Sequence, residues 1–124
     1  MRTKIENMHK LEDLKVWNKA MNVAVETYKL SADFPIGEKY GLISQIRRSA
    51  VSIPSNIAEG AGRNSKGEFK QFLGIANGSS FELYTQLKLS YKLNLVSVDK
   101  IKPILNEVIE IQKMNYSLIK SLEK

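Results

Sequence analysis

Side chains able to do chemistry are sparse in this sequence, and their spacing decides what they can support. His9 is the only histidine, and there is no cysteine. Zinc takes about four ligands, and a di-metal centre in a bundle needs Glu-x-x-His pairs on facing helices; neither set can be assembled here. A serine nucleophile needs a base, and no GxSxG elbow accompanies His9. No GxxxxGK[ST] loop is present, and no GxGxxG follows a strand. Thiolate and disulfide chemistry are excluded outright. The sequence therefore predicts no enzyme, no cofactor, no metal and no small-molecule substrate. What remains is cationic: Arg47-Arg48 is the only basic doublet, and a guanidinium fork suits phosphate.

Overall charge agrees with that reading without localising it. Lysine and arginine number 19 against 13 acidic residues, a net +6 over 124 residues. A basic balance favours RNA, DNA or another anionic partner. The excess is spread along the chain, and no segment forms a basic arm. Uncharged stretches such as 71–81 are far shorter than the ~20 apolar residues of a membrane helix. The N-terminus alternates charge with apolar residues and lacks a signal-peptide block. These features predict one domain over 1–124, cytoplasmic, with no membrane partner.

The elements that would position these residues read as four helices, about 11–31, 38–59, 66–93 and 99–122. In the first, Leu14, Trp17, Met21, Ala24 and Tyr28 form one row, and Val16, Ala20, Val23, Thr27 and Leu30 form a second beside it. Asp33-Phe34-Pro35-Ile36-Gly37 breaks the pattern. The second helix carries Ile43, Ile46, Ala50, Ile53 and Ile57, with Pro54 inside it as a kink. Gly60-Ala61-Gly62 predicts a helix end capped by a left-handed glycine. Ser65-Lys66-Gly67-Glu68 has capping-box spacing. The last helix starts from Ser97 or Asp99, with Pro103 near its first turn, and carries two rows through Val108. No stretch alternates at period two. The fold class is all-α, an antiparallel up-down four-helix bundle. One apolar seam per helix suffices for a lone bundle, so the double seams of the first and last helices predict association of identical chains.

The middle of the chain is rich in small and polar residues. Gly74-x-x-x-Gly78 costs about 1 kcal/mol per glycine in a helix, and predicts a close crossing of helices two and three. Buried charges there need partners, so Arg47 or Arg48 is expected to meet Glu82, or Glu59 of a neighbouring turn or subunit, unless it faces outward to phosphate.

These same residues carry a family resemblance. The run from Gln45 to Gly60, including Ser52-Ile-Pro54-Ser-Asn56-Ile-Ala-Glu59-Gly60, resembles four-helix-bundle proteins encoded by intervening sequences in bacterial 23S ribosomal RNA genes. So do Gly62-Arg63, Phe69 to Leu73, Ala76 to Ser79, and Glu82-Leu83. Leu14 to Trp17 and the stretch from Phe34 to Leu42 are similar to the opening helix and first loop of that family. The likeness spans about 11–95; residues 96–124 share only an amphipathic pattern. It implies a ring, typically a homopentamer, related to the accessory protein of diversity-generating retroelements, a basic pentameric ring that binds nucleic acid. No catalytic residues come with the family. Arg47, Arg48 and Arg63, with Lys66 and Lys70, are the candidate phosphate contacts. Pro54, Asn56, Glu59, Gly60, Gly74, Gly78 and Glu82 are the candidate fold and assembly positions. A protein-binding scaffold without a nucleic-acid role is the alternative.

Overall fold

The computed structural model describes residues 11–38 and 41–123. His9, and Lys39 and Tyr40 of the first loop, lie outside the described residues. Four long helices occupy most of the chain: α1 Lys15–Ser31, α2 Leu42–Ala61, α3 Lys66–Lys92 and α4 Val98–Leu122. A short 3-10 turn, Ile36–Glu38, sits between α1 and α2. No strand occurs among the described residues. The class is all-α. Each long helix packs on two others: α1 on α2 and α4, and α3 on α2 and α4.

Local chemistry explains the element ends. The expected first helix, 11–31, is interrupted: residues 11–13 are helical, but Leu14 is extended, with φ −77° and ψ 112°. Asn18 bridges the break, its Nδ2 donating to the Glu12 carbonyl at 2.7 Å and the Leu14 carbonyl at 3.1 Å. At α3 the Ser65 half of the expected capping box forms, while the Glu68 carboxylate meets the Ser65 hydroxyl and not its backbone N–H. The Ser65 hydroxyl accepts the Glu68 N–H at 3.2 Å and faces the Glu68 carboxylate at 3.2 Å. Ser97 rather than Asp99 caps α4, accepting the Lys100 N–H at 3.4 Å. That earlier start leaves Pro103 in the second turn, not the first.

Gly62 does not cap α2 in a left-handed conformation. Its φ is −82°, and among the described residues no glycine has positive φ. The left-handed cap belongs instead to Asn94, with φ 61° after α3. The Leu95 N–H reaches the Ser90 carbonyl and the Asn94 N–H reaches that of Tyr91, each at 3.0 Å, which is the Schellman pattern. Most L residues lose roughly 1 kcal/mol or more in this conformation. Asn94→Gly should therefore hold or raise the melting temperature, and Asn94→Val should lower it by several degrees, read by thermal circular dichroism.

The core follows the predicted rows, with one exchange. On α1 the buried row is Val16, Ala20, Val23 and Thr27, while Met21 and Tyr28 of the other row stay exposed. Pro54 lies inside α2 and is buried with Ile46, Ala50, Ile53 and Ile57. Both rows of α4 are consumed: Ile101, Ile104, Val108 and Ile111 are buried, and Leu105, Leu118 and Ile119 pack against them. A helix with two packed neighbours uses two seams, and on α1 Leu14, Trp17 and Ala24 of the second row also pack against the core, leaving Met21 and Tyr28 as its exposed members. Asn115, expected on an α4 row, is fully buried, and its carboxamide has no hydrogen-bond partner among the described residues.

The glycine crossing is real but misplaced in the sequence reading. A Cβ added at Gly74 or Gly78 would meet nothing within 4 Å, so neither forms the α2–α3 crossing. Their positions on α3 point outward. Gly60 makes the close approach: a Cβ there would lie 2.8 Å from the Phe72 Cβ and 2.9 Å from the Phe69 ring.

Candidate nucleic-acid interface

The two arginines of the doublet have separate fates, because successive helix positions differ by about 100°. Arg47 turns toward α1. Its Nε donates to the Ser31 hydroxyl at 2.9 Å and its Nη2 to the Tyr28 carbonyl at 3.3 Å. The guanidinium lies 4.5 Å over the Tyr28 ring. A cation there satisfies a carbonyl in the last turn of α1 and sits at the negative end of its dipole. Within the chain the expected pairing of Arg47 with Glu82 or Glu59 does not form, because position 47 faces α1 and Glu82 lies on α3. Arg48 is exposed and has no ion pair among the described residues; Glu82 is likewise exposed and unpaired.

Glutamate pairing falls on Arg63. Its Nε is 3.5 Å from Glu59 Oε2 and its Nη1 is 3.4 Å from Glu68 Oε2, with the guanidinium 4.9 Å over Phe72. The arginine clasps the end of α2 to the start of α3. Exposed pairs of this kind contribute about 0.2–1 kcal/mol each. Asn56 is also structural: its Nδ2 donates to the Ser52 carbonyl and hydroxyl at 2.8 and 2.9 Å. The Ser52 hydroxyl is in turn 2.8 Å from that of Ser79, linking α2 to α3. Lys66 and Lys70 sit in the first turns of α3, so the five candidate phosphate contacts do not converge on one face.

A different cationic surface does take shape. On α3 the positions Lys66, Lys70, Asn77, Phe81, Tyr84 and Lys88 recur at the spacings of one helix face. On α4 Lys102, Ile109, Lys113, Tyr116 and Lys120 do the same. Phe72 and Ser79 mark the edge of α3 turned to α2, through Gly60 and Ser52; the lysine row lies beyond the opposite edge. Glu107 marks the edge of α4 turned to α1, where it pairs with Lys19 at 2.6 Å; the α4 row lies on the other side, toward α3. The two rows thus border each other. Among the described residues Lys70, Lys88 and Lys102 have no ion pair. Lys113 and Lys120 meet only Glu110 and Glu123 of their own helix, at 3.6 and 3.7 Å.

Phe81 is 57% exposed and Tyr116 63% exposed on this surface, and Lys120 Nζ lies 5.4 Å from the Tyr116 ring centre. Sequence reasoning treated these lysines as scattered. Their shared helical spacing in α3 and α4 is the signal that finds them.

Other surfaces differ in kind. A groove of about 1040 Å³ between α1 and α4 has Val23, Leu30 and Ile104 on its floor and charges of both signs on its walls. Between α1 and α2, exposed Tyr28 and Val51 flank Arg47 and Arg48. Among the described residues no group of three His, Asp or Glu side chains is placed to hold a metal, and no helix is long and apolar enough to cross a membrane.

Comparison with known proteins adds identity to this geometry. Among solved structures, the chain is similar to a protein of unknown function from the S23 ribosomal protein family of Bacteroides thetaiotaomicron. The TM-score is 0.77 at 29% identity, covering 85% of this chain and 98% of that one. A search of curated proteins finds no match. A family model described as 23S rRNA-intervening sequence protein matches residues 12–117, from before α1 to well inside α4. The four packed helices and the motif-bearing run through Pro54 and Gly60 thus have one source: the chain belongs to the 23S rRNA-intervening sequence protein family.

Proposed function

We propose that this protein is a non-enzymatic, ring-forming bundle of up-and-down antiparallel helices that associates in the cytoplasm with ribosomal RNA or a related RNA or DNA. One observation carries the nucleic-acid reading: lysines of a chain with net charge +6 stand on a shared face, three of them unpaired among the described residues. Lysine contacts to phosphate release condensed counterions, so affinity falls with salt. With about three phosphates neutralised on a single strand, raising salt from about 50 to 200 mM should weaken binding roughly 20-fold. Filter binding with a labelled ribosomal RNA fragment at the two salts measures this. No binding, or binding indifferent to salt, overturns the reading.

Assembly has its own support. A closed ring uses two different patches per subunit, and the bundle offers two. One is the apolar α1–α2 surface with Met21, Tyr28 and Val51; the other is the outward strip of α3 with Ile75, Gly78 and Leu89. The homopentamer is the ring size that the family resemblance implies. The groove between α1 and α4 favours a second reading, a scaffold for a protein partner. Retention of such a partner after nuclease treatment, together with failed RNA binding, would select it.

A further inference from the structure

We infer that the ligand is single-stranded RNA or DNA and that it lies along the lysine and aromatic face shared by α3 and α4. This deepens the nucleic-acid reading above and depends on it. Charge alone does not distinguish a duplex from a single strand, since both present phosphates. The aromatic rings do. Phe81 and Tyr116 are more than half exposed among the lysines, and an exposed ring offers a π-face on which any base can stack.

A duplex cannot use those rings. Two helices side by side, each about 10–12 Å across, exceed the major groove, about 12 Å wide. A double helix would therefore meet this face only through its backbone, with its bases already stacked on each other. A single strand can turn its bases onto Phe81 and Tyr116 while Lys70, Lys88 and Lys102 hold its phosphates. From Lys70 to Lys88 the face runs ~27 Å at 1.5 Å per residue, enough for a strand of several nucleotides. Recognition would be largely indifferent to base sequence, because stacking needs no hydrogen-bond code.

Fluorescence anisotropy with the full chain tests this, using labelled fifteen-nucleotide dT and rU strands and a fifteen-base-pair duplex. The single strands should bind at least tenfold more tightly than the duplex. Phe81→Ala and Tyr116→Ala should each weaken single-strand binding about 5- to 100-fold with little change in salt slope. Lys88→Gln and Lys102→Gln should each reduce the slope by about 0.7. Lys29→Gln, on the α1–α4 side, should change neither, and circular dichroism checks that each variant folds. Duplex binding as tight as single-strand binding overturns the single-strand inference. Single-strand binding that all four α3–α4 variants leave intact overturns the placement, while the nucleic-acid reading stands. Failure of the unaltered protein to bind any of the three probes removes both.

Discussion

Gly60→Ala will destabilise the bundle by about 1–2 kcal/mol, although alanine is the better helix former. An added methyl at this position would sit 2.8 Å from the Phe72 Cβ and 3.2 Å from the Phe69 carbonyl oxygen. Neither atom can swing aside, since both move only with the α3 backbone. Overpacking of this kind costs about 1–3 kcal/mol, and the gain in helix propensity returns at most about 1 kcal/mol. Gly67→Ala is the control: it lies in the first turn of α3 with nothing within 4 Å of its would-be Cβ, and should be neutral or mildly stabilising. Thermal circular dichroism at one fixed protein concentration reads both. At roughly 4 °C or more per kcal/mol, Gly60→Ala should melt several degrees lower. Unchanged melting would mean that α2 and α3 do not approach as closely as described.

That position shows what the sequence could and could not convey. A pair of glycines spaced four apart is a recognisable pattern, so Gly74 and Gly78 suggested the crossing. Gly60 sat beside Gly62 at the end of an apolar row and looked like a cap. Periodicity tells which face of a helix is apolar; it does not tell which neighbour meets it at which height. The same gap explains Arg47. Its type predicted a charged or phosphate partner, but its partners are a hydroxyl, a backbone carbonyl and a ring of α1, which no spacing within α2 announces.

Features set by a few neighbouring residues were legible. The Ser65 cap formed, and the four helices stand close to their expected limits, apart from the break at Leu14 and a later start to α2. The lysine face was present in the spacing but divided between two helices. It becomes a surface only once α3 and α4 are known to pack side by side. Gly62 and Asn94 exchanged roles for a smaller reason. Asparagine tolerates the left-handed region better than most residues, and α3 ends where Asn94 stands.

Charge placed on the α1–α2 surface should dissolve the assembly while leaving each subunit folded. Met21 is 41% exposed and Val51 42% exposed in the single chain, so Met21→Glu with Val51→Glu leaves the core intact. In a ring the carboxylate of Met21→Glu, about two helical turns from the Tyr28 ring that Arg47 covers, would lose water without a cationic partner of its own subunit. That of Val51→Glu lies one turn from Arg47 and Arg48 and adds only bulk and hydration. An unpaired buried charge costs about 3–5 kcal/mol. Each 1.4 kcal/mol is tenfold in affinity, so even one such penalty weakens each interface by more than about 100-fold.

Light scattering at micromolar concentration should give several times the 14.1 kDa chain mass for the unaltered protein, and 14.1 kDa for the double variant, with helical content unchanged. Gly78→Leu probes the other patch. Its side chain would meet open space within the subunit, so it should fold normally yet block close approach by a neighbour at the α3 strip. Because a ring interface joins two unlike patches, either lesion alone should break every contact, and mixing the two variants should restore only pairs, through the one intact combination of patches. An unaltered protein that scatters as a single chain would refute assembly. Full-size particles from Met21→Glu/Val51→Glu would move the interface elsewhere, and a ring restored on mixing would show that the two patches do not face each other.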